Sequence, residues 1–274
     1  MADAPSRGRG FGVAAGLDPE VAEPVARRCA EYGYSSLWSN DHPMASGLET
    51  LAAFAAGAPE LEQGVAVLAL DRHEPDAIAA IVGEVGIDPS RLWLGIGAGF
   101  TKRPLGVVEE GLAAMREVLP KGTRIAVAAM GPKMCALAGA KADGVFFNWM
   151  TPEHAAWARE RVYEGVRSAG REEPPTIFGY VRVAVGPDAR ERLEKEEAFY
   201  RQLHHGYIRH FQSLGAEPGT VGVAAEDPAD ARQALRPYEV AIDHIVVRAL
   251  AHADADSLGA VAEAARPQEK RPDA

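Results

Sequence analysis

Asp41 and His42 stand side by side near the end of the stretch SSLWSNDHP, residues 35–43. A carboxylate next to an imidazole is a pairing suited to moving protons, because the ring titrates near neutral pH and an acid can orient or charge it. The residues before them read as a core strand, which Pro43 ends because it has no N–H to give a neighbouring strand. A second stretch, LWLGIGAGF at 92–100, places Gly95, Gly97 and Gly99 where a strand turns into a loop. Glycines there let a flat ligand or a phosphate approach the backbone. Its spacing does not fit a dinucleotide fingerprint, since the last glycine comes one position early and no acid follows at the required distance. In a third stretch, RIAVAAMGPKMCALAG at 124–139, a strand runs into Met130 and Gly131, and Pro132 takes the first helical position beside Lys133. Free N–H groups and the positive end of a helix dipole then make a phosphate cradle. The fourth, GVFFNWMTPEH at 144–154, ends a strand with Asn148 and Trp149 before a helix carrying His154. Each stretch has a plainer structural reading as well: a loop acid, tight rim packing, an ordinary strand-to-helix turn, a packed indole.

The elements that must hold these residues alternate between short strands and helices. Asp18-Pro19-Glu20, Thr151-Pro152-Glu153 and Asp227-Pro228 each write a helix start, with a cap, a proline in the first turn and, in the first two, an acid. Strands are predicted at roughly 10–15, 35–40, 63–70, 91–97, 124–129, 144–149, 176–185 and 244–249. Eight such βα units predict an α/β fold, a TIM (β/α)8 barrel, whose active site gathers at the C-terminal ends of the strands. An open doubly wound sheet is the competing arrangement. Residues 188–240 break the rhythm and read as a helical insertion between the seventh and eighth strands of a single domain spanning 1–274. The tails 1–8 and 266–274 are expected to be disordered.

Composition narrows the function. The 274 residues carry a net charge of −10, which argues against nucleic acid or an anionic membrane as partner. The N-terminus lacks the apolar core of a signal peptide, and no apolar run is long enough to span a bilayer, so a cytoplasmic protein is expected. Cys29 and Cys135 read as buried apolar residues. His204, His205 and His210 form the only histidine cluster and read as solvated helix surface, so no metal site is expected. The predicted strands contain no lysine for a Schiff base. His73, after Asp71-Arg72, reads more readily as part of a salt-bridged loop than as a catalyst.

Together GYSSLWSNDHP at 33–43, QGVAVLALDRHEP at 63–75, SRLWLGIGAG at 90–99 and AAMGPKMCALAGAKADGVFFNWMTPEH at 128–154 resemble the luciferase-like monooxygenase family, in particular its coenzyme F420-dependent oxidoreductase branch. The resemblance implies a TIM barrel that transfers a hydride between the deazaflavin F420 and a small-molecule substrate, with Asp41 and His42 near the reactive ring. It also implies a cofactor site built from Gly64, Ala66, Val67, Gly97, Ala98, Gly99, Ala129, Met130, Gly131, Pro132, Lys133 and Asn148. A non-proline cis peptide is expected at Ala66-Val67, with Val67 pressing on the ring face. Trp149 and His154 are expected in the substrate pocket. The same fold with FMN, acting as a monooxygenase, is the alternative, and a deazaflavin-binding barrel without catalysis is a third. The homodimer common among such proteins is a further expectation. Two departures stand out: only 31 residues separate Gly99 from Gly131, where relatives carry a long loop and hairpin, and Phe100 stands where some hydride-transferring members have an acid.

Overall fold

The helix starts written in the sequence are the ones the chain uses. In the computed structural model, which describes residues 8–267, Asp18 accepts from the Glu20 N–H at 2.9 Å, Thr151 from His154 at 3.2 Å and Asp227 from Ala229 at 2.7 Å. The order is β1 (Gly8–Val13), α1 (Pro19–Glu31), β2 (Ser36–Ser39), α2 (Gly47–Gly57), β3 (Glu62–Ala69), α3 (Pro75–Glu84), β4 (Leu92–Gly97), α4 (Pro104–Val118) and β5 (Arg124–Ala128). It continues with α5 (Pro132–Lys141), β6 (Gly144–Asn148), α6 (Pro152–Ser168), β7 (Thr176–Val185), α7 (Ala189–Leu203), α8 (His205–Leu214), β8 (Val223–Ala225), α9 (Pro228–Leu235), β9 (His244–Ala249) and α10 (Ala255–Ala264). Most of the tails expected to be disordered lies outside the described residues. Their inner ends do not fit that expectation: Gly8 pairs with His244, and the Arg266 carbonyl accepts from Arg9 at 3.3 Å.

All the strand pairings are parallel. They run β1 through β6 in sequence order, then β6 to β7, β7 to β9 and β9 back to β1, which closes an eight-stranded barrel. The open sheet is thereby excluded. The excursion between β7 and β9 contains α7, α8 and α9, and also β8, which the sequence reading missed; β8 pairs with the last residues of β7 outside the ring. Helices α5 and α6 pack backbone to backbone, because a Cβ on Gly139 would sit 2.0 Å from the Val162 carbonyl oxygen and one on Gly165 1.9 Å from that of Ala136.

Side chains alternate across each strand, so one set fills the barrel and the other meets the helices. Inside lie Trp38, Ala66, Trp93, Ala126, Phe146, Phe178, Tyr180 and Val246. Trp38 lies 5.0 Å from both Phe146 and Phe178, and Phe146 meets Tyr180 edge-on at 4.7 Å. These rings fill the interior, so a ligand has room only at the rim. At the closed end, Trp38 donates to Ser36 Oγ at 2.7 Å, and Ser36 meets His244 at 2.8 Å. Cys29 and Cys135 are buried free thiols in α1 and α5. Among the described residues, no helix is long and apolar enough to cross a membrane.

Candidate active site

The mouth of the barrel is organised from the end of β3. The β3–β4 register shifts between Val65 and Leu68, and the Ala66-Val67 peptide is cis, at the position expected. The bulge moves Val67 out of the filled interior and leaves it half-buried. Strand β4 makes the space: a Cβ on Gly95 would meet the Val65 oxygen at 2.6 Å and Val67 at 3.1 Å, and one on Gly97 would meet Val67 at 3.0 Å. Two glycines of the second stretch thus exist for the bulge. Gly99 has a different reason. Its φ is +66°, and a Cβ there would overlap the Asp71 carboxylate, which accepts from the Phe100 N–H at 2.7 Å.

Asp71, Arg72 and His73 tie three loops together. Arg72 and His73 both reach Asp41 Oδ2, at 3.1 and 2.8 Å, while Asp41 Oδ1 accepts from the Gly47 N–H at 3.3 Å. The Asp41 side chain is only 5% exposed. The carboxylate therefore pairs with His73 and not with its sequence neighbour, which corrects the expectation that Asp41 orients or charges His42. His42 lies exposed in the same loop, and its Nδ1 accepts from the Met44 N–H at 3.2 Å. In the neutral ring the proton then resides on Nε2, which is the atom left free.

Helix α5 starts at Pro132 with no side chain capping it, and Gly131, Pro132 and Lys133 are exposed. Its first N–H groups are thus available to an anion, which fits the phosphate cradle read from the sequence. Ala98 and Met130 are partly buried beside these loops, packed on the outer core. Gly64, Ala66 and Ala129, also expected at the cofactor, are buried. Gly64 makes room for Trp38, whose ring would be 2.3 Å from a Cβ there. Ala66 belongs to the same interior, and Ala129, 1% exposed, packs between the barrel and its helices.

The far side of the mouth is covered by α7 and α8. Asn148 donates to the Tyr207 hydroxyl at 3.0 Å and accepts from Arg182, and the Arg182 guanidinium lies 3.9 Å over Trp149 and 5.2 Å from Tyr200. Burial pushes the Tyr207 hydroxyl up to about 12. Phe100 packs against His204 with the rings tilted and their centroids 4.6 Å apart, so the loop after β4 touches the turn between the two helices. Trp149 has φ +54° and is buried beneath this cover, while His154 sits beyond it beside Trp157 and His210. Trp149 is thus closed off from solvent, whereas His154 lines a surface depression beside α6. Two surface depressions, about 400 and 540 Å3, lie on the outer face of α7 and between α6 and α8, away from Val67.

His210 is not solvated surface either. It is 6% exposed, and its Nε2 donates to the Trp149 carbonyl at 2.6 Å. Burial pushes its pKa from 6.5 down to about 4, and that of His244 to about 3. Between those values and 6.5 the unfolded chain binds more protons than the folded one, so stability should fall as pH drops below about 6.5. Each ring contributes at most about 1.4 kcal/mol per pH unit. Melting temperatures measured from pH 7.5 to about 4.5 should decline, less steeply in His210→Gln; parallel profiles for the two proteins would show that His210 carries none of the effect.

The sequence of residues 113–267 matches the family model of the luciferase-like monooxygenases. The chain belongs to that family. The family's fold recurs in an F420-dependent secondary alcohol dehydrogenase in complex with an F420-acetone adduct, with TM-score 0.75, 16% identity, and coverage of 96% of this chain and 100% of that one. It recurs in the coenzyme F420 dependent tetrahydromethanopterin reductase from Methanopyrus kandleri, with TM-score 0.67, 15% identity, and coverage of 94% and 97%. The oxygenating constituent of 3,6-diketocamphane monooxygenase from the CAM plasmid of Pseudomonas putida, in complex with FMN, gives TM-score 0.64, 16% identity, and coverage of 97% and 100%. Members of the family are oxidoreductases, and these neighbours bind either a deazaflavin or a flavin.

The sequence reading missed Tyr180, Arg182, Tyr200, Tyr207 and Arg248, all of which surround the mouth. A signal was present in FGYVRVAV and HIVVRA, where an arginine interrupts a strand otherwise apolar enough to be buried on both faces.

Proposed function

We propose that the protein passes a hydride between the deazaflavin F420 and a small organic substrate at the mouth of the barrel. The observation that carries this reading is the seat: Val67, raised by the bulge onto Gly95 and Gly97, stays half-buried above an interior already filled by aromatic rings. Val67, with Ala98 and Gly99 beside it on the rim, would hold a planar tricycle, and the N-terminus of α5 with Lys133 would take its phosphate. When bound, F420 supplies a ring carbon that accepts or releases the hydride. His42 handles the accompanying proton through Nε2, its Nδ1 being engaged by Met44. Asp41 acts at one remove, with Arg72 and His73, by fixing the loops that carry His42 and the rim.

The second reading, FMN with oxygen chemistry, is favoured by the likeness to the diketocamphane monooxygenase component. The two F420-dependent neighbours have the higher TM-scores, 0.75 and 0.67 against 0.64, which supports the order given. Titration of the purified protein with each cofactor, followed by fluorescence, separates them. Saturable F420 binding, with FMN at least about tenfold weaker, is the expected result, a gap of about 1.4 kcal/mol. Tight FMN binding without F420 binding would reverse the order.

A further inference from the structure

Arg182 and Arg248 occupy paired positions on the adjacent parallel strands β7 and β9. They continue the inward-facing rows Phe178-Tyr180 and His244-Val246, which puts both at the mouth. Arg182 is 3% exposed, and among the described residues neither arginine has a carboxylate within salt-bridge distance. Other arginines in comparable positions are paired: buried Arg9 with Glu239, and Arg124, facing inward at the closed end, with Glu62 at 2.7 Å. Glu196 on α7 acts on Arg182 only from a distance. Arg182 gives one bond, to Asn148, and its Nε is buried without an acceptor; the Tyr180 hydroxyl beside it is buried without a partner too. Among the described residues Arg248 bonds only the Ala249 carbonyl, at 2.7 Å, and it remains half-buried. Burial and the Arg248 charge both hold the Arg182 guanidinium below its ordinary pKa.

A buried guanidinium without an acid is costly, and so is each donor left without an acceptor. Both deficits vanish if an oxyanion enters. Planar forked donors suit carboxylate and phosphate oxygens; Arg182 has aromatic faces beside it but, like Arg248, no carboxylate among the described residues, and two such cations at the mouth of a chain of net charge −10 make a local attractor for such a group. We propose that Arg182, Arg248 and Tyr180 form an anion-anchoring subsite that holds a carboxylate or phosphate group of the substrate. This rests on the mouth being the redox site, and it restricts the substrate from any small organic molecule to one bearing an oxyanion.

The test is a calorimetric titration of the full chain, at fixed ionic strength in chloride, with inorganic phosphate and separately with benzoate. Wild type should bind at least one of them saturably, and the preferred anion identifies the class. Arg248→Met should weaken that binding about tenfold or more, and Arg248→Lys should restore part of it; Arg248→Gln replaces the methionine variant if that one does not fold. F420 affinity, followed by fluorescence, should be unchanged in Arg248→Met. Absence of saturable anion binding to wild type, or equal binding by Arg248→Met, overturns the subsite. A parallel loss of F420 affinity overturns it as a substrate anchor and assigns the arginines to the cofactor. Failure of wild type to bind F420 at all would overturn the redox reading instead, and the anion titration remains readable on its own.

Discussion

Alanine in place of His42 should lower turnover by about 10²-fold or more, the range expected when a general acid or base is removed. Deazaflavin affinity should stay near that of wild type, because the ring is exposed and its one bond is to the Met44 N–H of its own loop. The contrast is with His73, a second imidazole in these loops. Its Nε2 is committed to Asp41 at 2.8 Å, and it shares that carboxylate with Arg72. His73→Asn should therefore act through loop order, raising KM and lowering the melting temperature more than it lowers kcat. Steady-state kinetics of both variants, with F420 binding measured beside them, distinguish a proton carrier from a positioning residue. Unimpaired turnover in His42→Ala would remove that ring from the chemistry.

Gly95→Ala should weaken F420 binding about tenfold or more. The added Cβ would lie 2.6 Å from the Val65 oxygen and 3.1 Å from both Ala66 Cα and Val67 Cγ1, so the bulge has to move and Val67 moves with it. Overpacking of this kind costs about 1–3 kcal/mol, enough to leave a folded protein whose seat is displaced. Gly83→Ala is the control, since nothing lies within 4 Å of the added atom. Fluorescence titration after a check of the melting curve reads the result. Wild-type affinity in Gly95→Ala would show that the ring does not rest on Val67.

The barrel was legible because parallel strands buried on both faces read as near-continuous apolar runs, and because Asp18, Thr151 and Asp227 each mark a helix start. Strand β8 escaped because three residues, Val223–Ala225, are too few to show a period. The Asp41–His42 pairing failed because neighbours in a loop need not face one another: the Asp41 carboxylate is buried against His73 and Arg72, while His42 lies exposed. Gly64 was expected at the cofactor by resemblance, yet it lies against Trp38, whose ring would be 2.3 Å from a Cβ there. His210 looked solvated because the helix around it is polar. Tyr207, His210, Phe211 and Leu214 nevertheless fall on one helical face, the one turned toward Trp149, with His210 and Phe211 buried. What no local pattern could give is the covering of the mouth, since Phe100 with His204 and Asn148 with Tyr207 join residues distant along the chain.

A crystal structure with F420 bound puts the proposed seat to its most direct trial. The expected result is the deazaflavin ring lying against Val67 with its phosphate at the N-terminus of α5 and His42 within reach of the ring edge. A ring bound anywhere else, with Val67 bare and the Met130–Lys133 segment empty, would contradict it.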